Sequence, residues 1–208
     1  MKNALLLFLS DKIYCKYLPK QIHTIRKVTE AMKIQYRELN ENEICRNLFQ
    51  QFIRRQNVVK CWRREGGQWL IKDAPFIDDW SEADYQVLIT CLKNTIATGG
   101  FVYGAFCGGV LKGFASVEAA LFGSNGEYLD LTSLHVSEDM RGKGIGKTLF
   151  LEAGRWAKEH GGRKLYISGH SAVETQAFYK AMGCVEAQEY NQQHVEAEPF
   201  DCQLEYRL

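Results

Sequence analysis

The stretch that decides the fold reads Leu131-Thr-Ser-Leu-His-Val136, then Ser137-Glu-Asp-Met140, then Arg141-Gly-Lys-Gly-Ile-Gly-Lys-Thr-Leu-Phe150. Its first six residues favour a β-strand, its glycines favour a tight loop, and the residues after them favour an amphipathic helix. Glycines let a phosphate approach backbone amides, and the first turn of a helix carries partial positive charge. The pattern predicts an anion site of the diphosphate type where the loop enters the helix.

Two common phosphate-binding loops do not fit this stretch. A Walker A loop, G-x4-G-K-[ST], would need glycine at position 141, where the chain has arginine. A Rossmann loop, G-x-G-x-x-G, follows the first strand of its domain, whereas the glycines here are spaced G-x-G-x-G and come late in the chain. These mismatches disfavour an NTPase and a dinucleotide enzyme. A glycine-rich turn with incidental lysines remains the structural alternative.

The composition is that of an ordinary globular protein. The chain has 208 residues, of which 46% are hydrophobic and 25% are charged, and its formal net charge is +1. This length suits one domain and is sufficient for a sizeable core. The near-zero charge argues against a nucleic-acid or membrane-surface binder, because both carry a marked basic excess.

The cysteines and the apolar residues near the N-terminus indicate the cellular compartment. The seven cysteines are odd in number and include no C-x2-C pair, so zinc ribbons and thioredoxin-like motifs are excluded. The five histidines have no metal-ligand spacing, and no metal is expected. The apolar run at 4–9 is too short for a signal peptide or a membrane span. We therefore expect reduced thiols and a cytoplasmic protein.

The order of predicted elements indicates an α/β domain over 32–208, preceded by an N-terminal extension of unknown role at 1–31. A strand at 34–39 is followed by a helix over 44–53 and an irregular, tryptophan-rich stretch at 57–80 with two short strands. A helix from Glu82 to about Ala97 comes next. The remaining predicted elements are strands at 101–107, 110–122 and 127–136, a helix to about 160, a strand at 164–168, a helix at 172–182 and two terminal strands.

On these residues the chain resembles the GNAT (Gcn5-related) N-acetyltransferase superfamily. Residues 141–146 match its acyl-CoA loop, R/Q-x-x-G-x-G/A, and residues 171–184 resemble its second signature, in which Ala-Phe-Tyr lies on a helix. The resemblance covers about 34–208, leaves 1–31 outside, and makes 57–80 an insertion between the first two helices of the family. It implies a mixed, mostly antiparallel sheet with helices on both faces.

The resemblance implies transfer of an acetyl group from acetyl-CoA to a primary amine of a small molecule or peptide. A non-catalytic acyl-CoA-binding sensor on the same fold is the alternative, and the oligomeric state stays open, a homodimer included. Two departures from the family pattern occur: Ser171 or Ala172 replaces its asparagine, and Cys184 replaces the phenylalanine that follows its glycine. The residues that the resemblance implies as cofactor contacts are Leu134, His135, Val136, Arg141, Gly142, Lys143, Gly144, Ile145, Gly146, Lys147, Thr148, Ser171 and Phe178.

Catalysis requires a proton donor for the leaving thiolate and a route for the proton of the amine. A phenol, with a pKa of about 10, can protonate an adjacent thiolate whose conjugate acid has a pKa of about 8.5. Within the second signature we expect Tyr179 to be this acid, although plain packing is the alternative. Asp130 is the first candidate base, and the alternatives are Glu118, Glu127 and a water chain. Strand alternation places His135 on the face opposite Asp130 and favours a packing role for it.

The family usually admits the acceptor between its first helices and its final strands. The residues expected there include Trp80, Asp78 and Asp79, together with Glu118 on a neighbouring strand. Aromatic walls and carboxylates suit a cationic amine. The alternative is that the tryptophans of this segment close a small satellite core and that the two aspartates merely precede a helix.

Overall fold

The computed structural model describes residues 33–208; the predicted extension at 1–31 lies outside them. Within this range the chain forms a seven-stranded sheet, a separate two-stranded ribbon, four α-helices and short 3-10 turns. The strands are β1 (Ile34–Glu38), β2 (Arg55–Glu65), β3 (Gln68–Asp79), β4 (Phe101–Cys107), β5 (Val110–Val117), β6 (Tyr128–Val136), β7 (Lys164–Gly169), β8 (Val185–Glu186) and β9 (Cys202–Arg207); the helices are α1 (Glu82–Ala97), α2 (Ile145–Glu159), α3 (Val173–Ala181) and α4 (Gln192–Ala197).

The large sheet has the strand order β1-β4-β5-β6-β7-β9-β8, and its pairs are antiparallel except for β6 with β7. One face packs against α1, around Phe49, Leu92 and Phe114. The other face packs against α2 and α3, around Leu149 and Phe150. The α/β class and the mixed, mostly antiparallel sheet with helices on both faces are confirmed.

Capping chemistry explains where α1 begins. The Ser81 hydroxyl accepts a hydrogen bond from the Asp84 N–H at 3.3 Å, and the Asp84 carboxylate accepts one from the Ser81 N–H at 2.7 Å. This reciprocal pair satisfies two backbone donors that a helix start leaves free. The start and the end predicted for this helix agree with the structure.

The segment at 57–80 is more regular than the sequence suggested. Strands β2 and β3 have 11 and 12 residues and pair along nearly their whole length, joined at Gly66 and Gly67 with φ of +57° and +82°. Both faces of the ribbon are largely exposed, so its side chains lack the buried-exposed alternation by which a strand is recognised. The ribbon pairs with the domain at Cys61, opposite Ala172.

Two further sequence predictions were wrong in detail, and one helix was missed. The expected helix over 44–53 is instead a pair of 3-10 turns, Glu41–Glu43 and Arg46–Phe49, although Phe49 and Phe52 are buried. The strand predicted at 110–122 ends at Val117. The helix α4 between β8 and β9 was not predicted, because its six residues carry no apolar periodicity.

A β-bulge in β6 changes which side chains share a face. Ser133 lies opposite Ser116 and Leu131 lies opposite Val117, so Thr132 is the extra residue. Simple alternation across this point is therefore wrong. Leu134 packs on the same core as Leu131, whereas His135 packs against Phe114 on the other face.

The bulge also corrects the expectation for His135. Asp130 lies between Leu129 and Leu131, whose side chains belong to the core beneath α2, so its own side chain points to the opposite face. The His135 ring lies on that same face, against Trp80. Asp130 and His135 thus lie on the same face of the sheet, whereas simple alternation along the sequence would place them on opposite faces.

Candidate active site

A cleft opens where β6 and β7 diverge. The two strands pair in parallel only at three positions, the last being Asp130 opposite Tyr166, although β6 continues for six more residues. The resulting cavity has a volume of about 180 Å³. Its walls come from β6, the end of β7, the start of the ribbon and α3. The lining residues are Arg54, Gln56, Leu131, Thr132, Leu134, His135, Val136, Arg141, Ser168, Gly169, His170, Thr175 and Tyr179.

The glycine loop leads from β6 into the N-terminus of α2. Gly142 and Gly144 have φ of +74° and +80°, and a Cβ atom built on either would meet no atom within 4 Å. Gly144 is the N-cap of α2, and no side chain caps the helix there. The amides of the first turn of this 15-residue helix are therefore free of side-chain acceptors. Open space beside Gly142 and Gly144, next to helix amides without a side-chain cap, is a geometry that fits a phosphate group.

The glycine at 146 and the isoleucine at 145 have structural roles in the same loop. The Ile145 side chain is buried beneath the sheet and anchors the start of α2. A Cβ atom on Gly146 would lie 3.4 Å from the Phe178 ring and 3.6 Å from Val136. A methyl group at 146 would therefore fit in ordinary van der Waals contact with α3, whereas a larger side chain would press on the Phe178 ring.

Two backbone N–H groups of β6 point toward the cleft. The Ser137 N–H donates to the Lys112 carbonyl of β5 at 2.9 Å. Because hydrogen bonding alternates along an antiparallel strand, the N–H groups of Leu134 and Val136 point away from β5. They face the side from which β7 has already diverged. Donors in this position can bind a carbonyl oxygen.

The predicted cations lie around the loop in different ways. The Arg141 Nε donates to the Val136 carbonyl at 3.3 Å, which brings the guanidinium to the cleft wall. The Lys143 Nζ lies 3.3 Å from the Asp139 carbonyl, and Lys147 is exposed on the first turn of α2. The Thr148 hydroxyl lies 3.4 Å from the Gly144 carbonyl within the helix.

His135 lies in an environment that keeps its imidazole neutral. Its ring packs against Trp80 at 4.8 Å and Phe114 at 5.2 Å between centroids. Burial, reinforced by the positive charges of Arg54 and Arg141, lowers the pKa of His135 to about 3. A neutral ring with so low a pKa is a poor proton acceptor near pH 7.

Tyr179 reaches the cleft from α3. Its side chain is buried, packs against Phe150, and lines the cavity beside Gly169, where an added Cβ atom would lie 3.1 Å from the tyrosine ring. Burial, reinforced by Cys184 and Asp201, raises the pKa of the phenol above its ordinary value. The phenol therefore keeps its proton at neutral pH, as a proton donor must. Phe178, half-buried beside it, packs edge-on against Phe150.

Asp130 lies at the closed end of the cleft, where β6 and β7 still pair. Its Oδ2 is 2.5 Å from the His194 Nε2, and its Oδ1 is buried without a hydrogen-bond partner among the described residues. The hydrogen bond to Asp130, assisted by its charge and that of Asp201, raises the pKa of His194 against the effect of burial. No sequence pattern indicated this contact, because 64 residues separate its partners.

The residues predicted for the acceptor do not lie together in one wall. Asp78 forms an ion pair with Arg54, and Trp80 packs against His135 beneath the cleft. Asp79 is exposed at the end of β3. Glu118 accepts a hydrogen bond from the Thr95 hydroxyl at 2.5 Å and so ties α1 to β5.

Ser171 is committed to the ribbon in this structure. Its hydroxyl accepts a hydrogen bond from the Arg63 guanidinium at 2.6 Å, and its carbonyl accepts one from the Trp62 N–H at 2.8 Å. The side chain is buried. These contacts hold β2 against the start of α3, and the cofactor contact expected for Ser171 stays a prediction.

Sequence reasoning missed several residues of the cleft. Arg54 and Gln56 begin the ribbon, and His170 follows β7; none of them belongs to a recognised motif. Asp201, which contacts the lining residue Ser168 but does not itself line the cavity, was also missed: it precedes β9, and burial raises its pKa to about 6 against the effect of the hydrogen bond from Ser168. A signal was available for His170 alone, since it directly follows a predicted strand that ends at the site.

Two absences within residues 33–208 bear on other functions. No group of three or more histidine, cysteine, aspartate or glutamate side chains in this range is placed to hold a metal ion. No helix in the same range has the length and apolar character needed to cross a membrane.

Comparison with known proteins identifies the family. The family model described as "Acetyltransferase (GNAT) family" matches residues 64–184, more than half of the chain. No functionally curated protein matched the sequence.

Solved structures share the fold at low sequence identity. A nourseothricin acetyltransferase is 15% identical with a TM-score of 0.61, and the match covers 83% of this chain and 95% of that one. A putative streptothricin acetyltransferase from Bacillus anthracis, in complex with acetyl coenzyme A, is 19% identical with a TM-score of 0.60 and coverage of 85% and 99%. A PaiA N-acetyltransferase from Thermoplasma acidophilum, in complex with coenzyme A, is 20% identical with a TM-score of 0.53 and coverage of 85% and 100%.

Proposed function

Because this chain belongs to the GNAT acetyltransferase family, we propose that it transfers the acetyl group of acetyl-CoA to a primary amine by direct attack. The observation that carries the proposal is the cleft between β6 and β7, which has uncapped helix amides at one end and a buried phenol in its wall. Acetyl-CoA supplies an activated thioester, and the residues of the chain bind it, orient it and move the protons.

The loop fits the diphosphate of acetyl-CoA on two grounds. Gly142 and Gly144 leave the backbone open, and the first-turn amides of α2 have no side-chain cap. Arg141 and Lys143 add positive charge at the same place. A loop with this geometry binds a phosphate without needing to rearrange.

The N–H groups of Leu134 and Val136 supply the next contacts along the cleft. Their direction follows from the ladder with β5, and β7 has no residue paired with them. Such donors can hold the amide-bearing arm of the cofactor and stabilise negative charge that develops on the thioester oxygen. We assign the oxygen to these amides and not to His135, because the imidazole is neutral and packed between aromatic rings.

Tyr179 is the proposed proton donor to the leaving sulfur. Its hydroxyl has no hydrogen-bond partner within the described part of the chain, and its ring lines the cleft. Burial keeps the phenol protonated at neutral pH but also makes it a weaker acid, so proton transfer requires a fully formed thiolate directly beside the hydroxyl. These features support an acid role over packing alone.

The decisive experiment follows release of the coenzyme A thiol with a panel of amines. The panel contains polyamines, an aminoglycoside and a lysine-containing peptide, together with nourseothricin and streptothricin, after which two of the structural neighbours are named. We expect thiol release with at least one amine and stoichiometric formation of the N-acetyl product. Binding of acetyl-CoA without thiol release from any amine would instead favour the non-catalytic sensor.

A titration calorimetry control separates these outcomes from a nucleotide-binding protein. We expect acetyl-CoA to bind in the micromolar range and ATP to give no heat of binding. Binding of ATP without binding of acetyl-CoA would contradict the proposal that the glycine loop holds the diphosphate of acetyl-CoA.

A further inference from the structure

The segment between β8 and β9 places two titratable groups at the closed end of the cleft. His194 lies on α4, and its Nε2 is 2.5 Å from the Asp130 Oδ2. Asp201 lies just before β9, beside the Ser168 hydroxyl, and its charge acts on both His194 and Tyr179. Neither side chain belongs to a family motif in the sequence.

His194 and Asp201 contact residues that border or line the cleft, Asp130 and Ser168. Asp130 directly precedes two lining residues of β6, Leu131 and Thr132. The ring of Tyr166, opposite Asp130 in the sheet, stacks on His194 with centroids 5.8 Å apart. Ser168, two residues after Tyr166 and on the same face of β7, lines the cavity. The imidazole therefore lies where the diverging strands meet.

The contacts of His194 leave one of its nitrogens available. Asp130 occupies Nε2, and Nδ1 has no hydrogen-bond partner among residues 33–208. The side chain is 27% exposed, so solvent can reach it. A carboxylate that orients one nitrogen of a histidine while the other faces a substrate is the usual arrangement of a general base.

We propose that His194, oriented by Asp130, is the base that takes the proton from the acceptor amine. The inference rests on the proposed function and adds to it a residue and a role. It assigns the direct contact with the amine to His194, and it makes Asp130 a positioning residue whose carboxylate is already engaged.

The proton balance of the step is complete. The ammonium form of the acceptor gives one proton to the Nδ1 of His194, and the amine lone pair then attacks the thioester carbon. A carbon–nitrogen bond forms, the carbon–sulfur bond breaks, and its electron pair goes to sulfur. The second amine proton ends on that sulfur as the thiol, through Tyr179. His194 returns its proton to solvent.

The charges around His194 suit this task. The titratable groups that face it are Asp130 from β6, Tyr166 from β7 and Asp201 from the approach to β9. The hydrogen bond to Asp130, with the charges of both carboxyl groups, raises the pKa of the imidazole above its ordinary value, which makes it a stronger proton acceptor. Ionised Asp201 also favours approach of a cationic amine.

The kinetic test compares His194→Gln with the matched control Glu196→Gln, an exposed side chain on the same helix. We expect His194→Gln to lower kcat/KM for the amine about 100-fold or more while the Kd of acetyl-CoA stays unchanged. The rate of the variant should rise with pH toward the pKa of the amine itself, whereas the wild type reaches its plateau at lower pH. Glu196→Gln should match the wild type.

A second measurement does not depend on turnover. We expect an NMR titration to give His194 a pKa above its ordinary value of about 6.5, and to show a decrease in the variant Asp130→Asn. A titration at or below about 6.5 in the wild type, or kinetics of His194→Gln within threefold of the control, would overturn the inference. If no amine is acetylated, the proposed function is contradicted. The NMR titration still tests the pairing of His194 with Asp130 in that case.

Discussion

The glycine loop offers the most discriminating mutation, Gly144→Asp. Gly144 has φ of +80°, and a Cβ atom there would meet nothing within 4 Å. The Cβ atom of an aspartate therefore clashes with no protein atom, and the expected structural cost is that of the left-handed backbone, about 1–2 kcal/mol of unfolding free energy. The larger effect concerns the ligand, because the side chain fills the space that the diphosphate would occupy.

The electrostatic part of that effect follows from Coulomb's law. A carboxylate about 4 Å from one phosphate charge costs about 1 kcal/mol in a water-like environment and about 4 kcal/mol near a protein surface. Together with the lost space, this should weaken acetyl-CoA binding at least about 100-fold, since each 1.4 kcal/mol corresponds to about tenfold.

The matched control is Gly67→Asp at the tip of the β2–β3 ribbon. Gly67 has φ of +82° and equally open surroundings, but it lies at the far end of the strand that begins at the cleft. Both variants should lose similar stability in thermal melts, whereas titration calorimetry should show weakened acetyl-CoA binding only for Gly144→Asp. Equal affinities, within about threefold, would refute the assignment of the loop.

Three other predictions concern single side chains. Tyr179→Phe should lower kcat by at least about 100-fold with an unchanged Kd for acetyl-CoA, measured by thiol release and calorimetry; an unaltered kcat would show that the phenol is not the acid. Asp201→Asn should stabilise the protein at pH 7.5 by about 3 kcal/mol, because burial raises the folded-state pKa to about 6 and ionisation therefore costs stability as pH rises past the ordinary aspartate value. The gain should vanish below about pH 4 in denaturant melts, and a gain that persists there would contradict this cause. Asp78→Asn should destabilise the fold by about 2 kcal/mol, because it leaves the mostly buried Arg54 guanidinium without its ion partner. The control Asp79→Asn changes an exposed residue and should stay within about 0.5 kcal/mol of the wild type. Equal melting temperatures of the two variants would contradict this role of Asp78.

The parts of the fold that follow from local chemistry were predictable from the sequence. The capping pair Ser81 and Asp84 marked the start of α1, and the glycine loop at 141–146 marked the entry into α2. The length of the two ribbon strands was underestimated, because an exposed ribbon needs no alternation of apolar and polar residues. The turns at 41–49 replaced an expected helix even though the apolar spacing still buries Phe49.

The geometry of the site depends on features that the sequence does not display. The bulge at Thr132 shifts alternation within β6 and moves His135 to the face of Asp130. The contact between Asp130 and His194 joins residues 64 positions apart through a short helix without a recognisable pattern. Burial, which sets the pKa of Asp201, also arises only when these distant segments pack together.

A crystal structure of the complex with acetyl-CoA tests the central claim most directly. The diphosphate oxygens should accept hydrogen bonds from amides of residues 142–146, and the thioester sulfur should lie within hydrogen-bond reach of the Tyr179 hydroxyl. A ligand bound outside the gap between β6 and β7, or a phenol turned away from the sulfur, would contradict it.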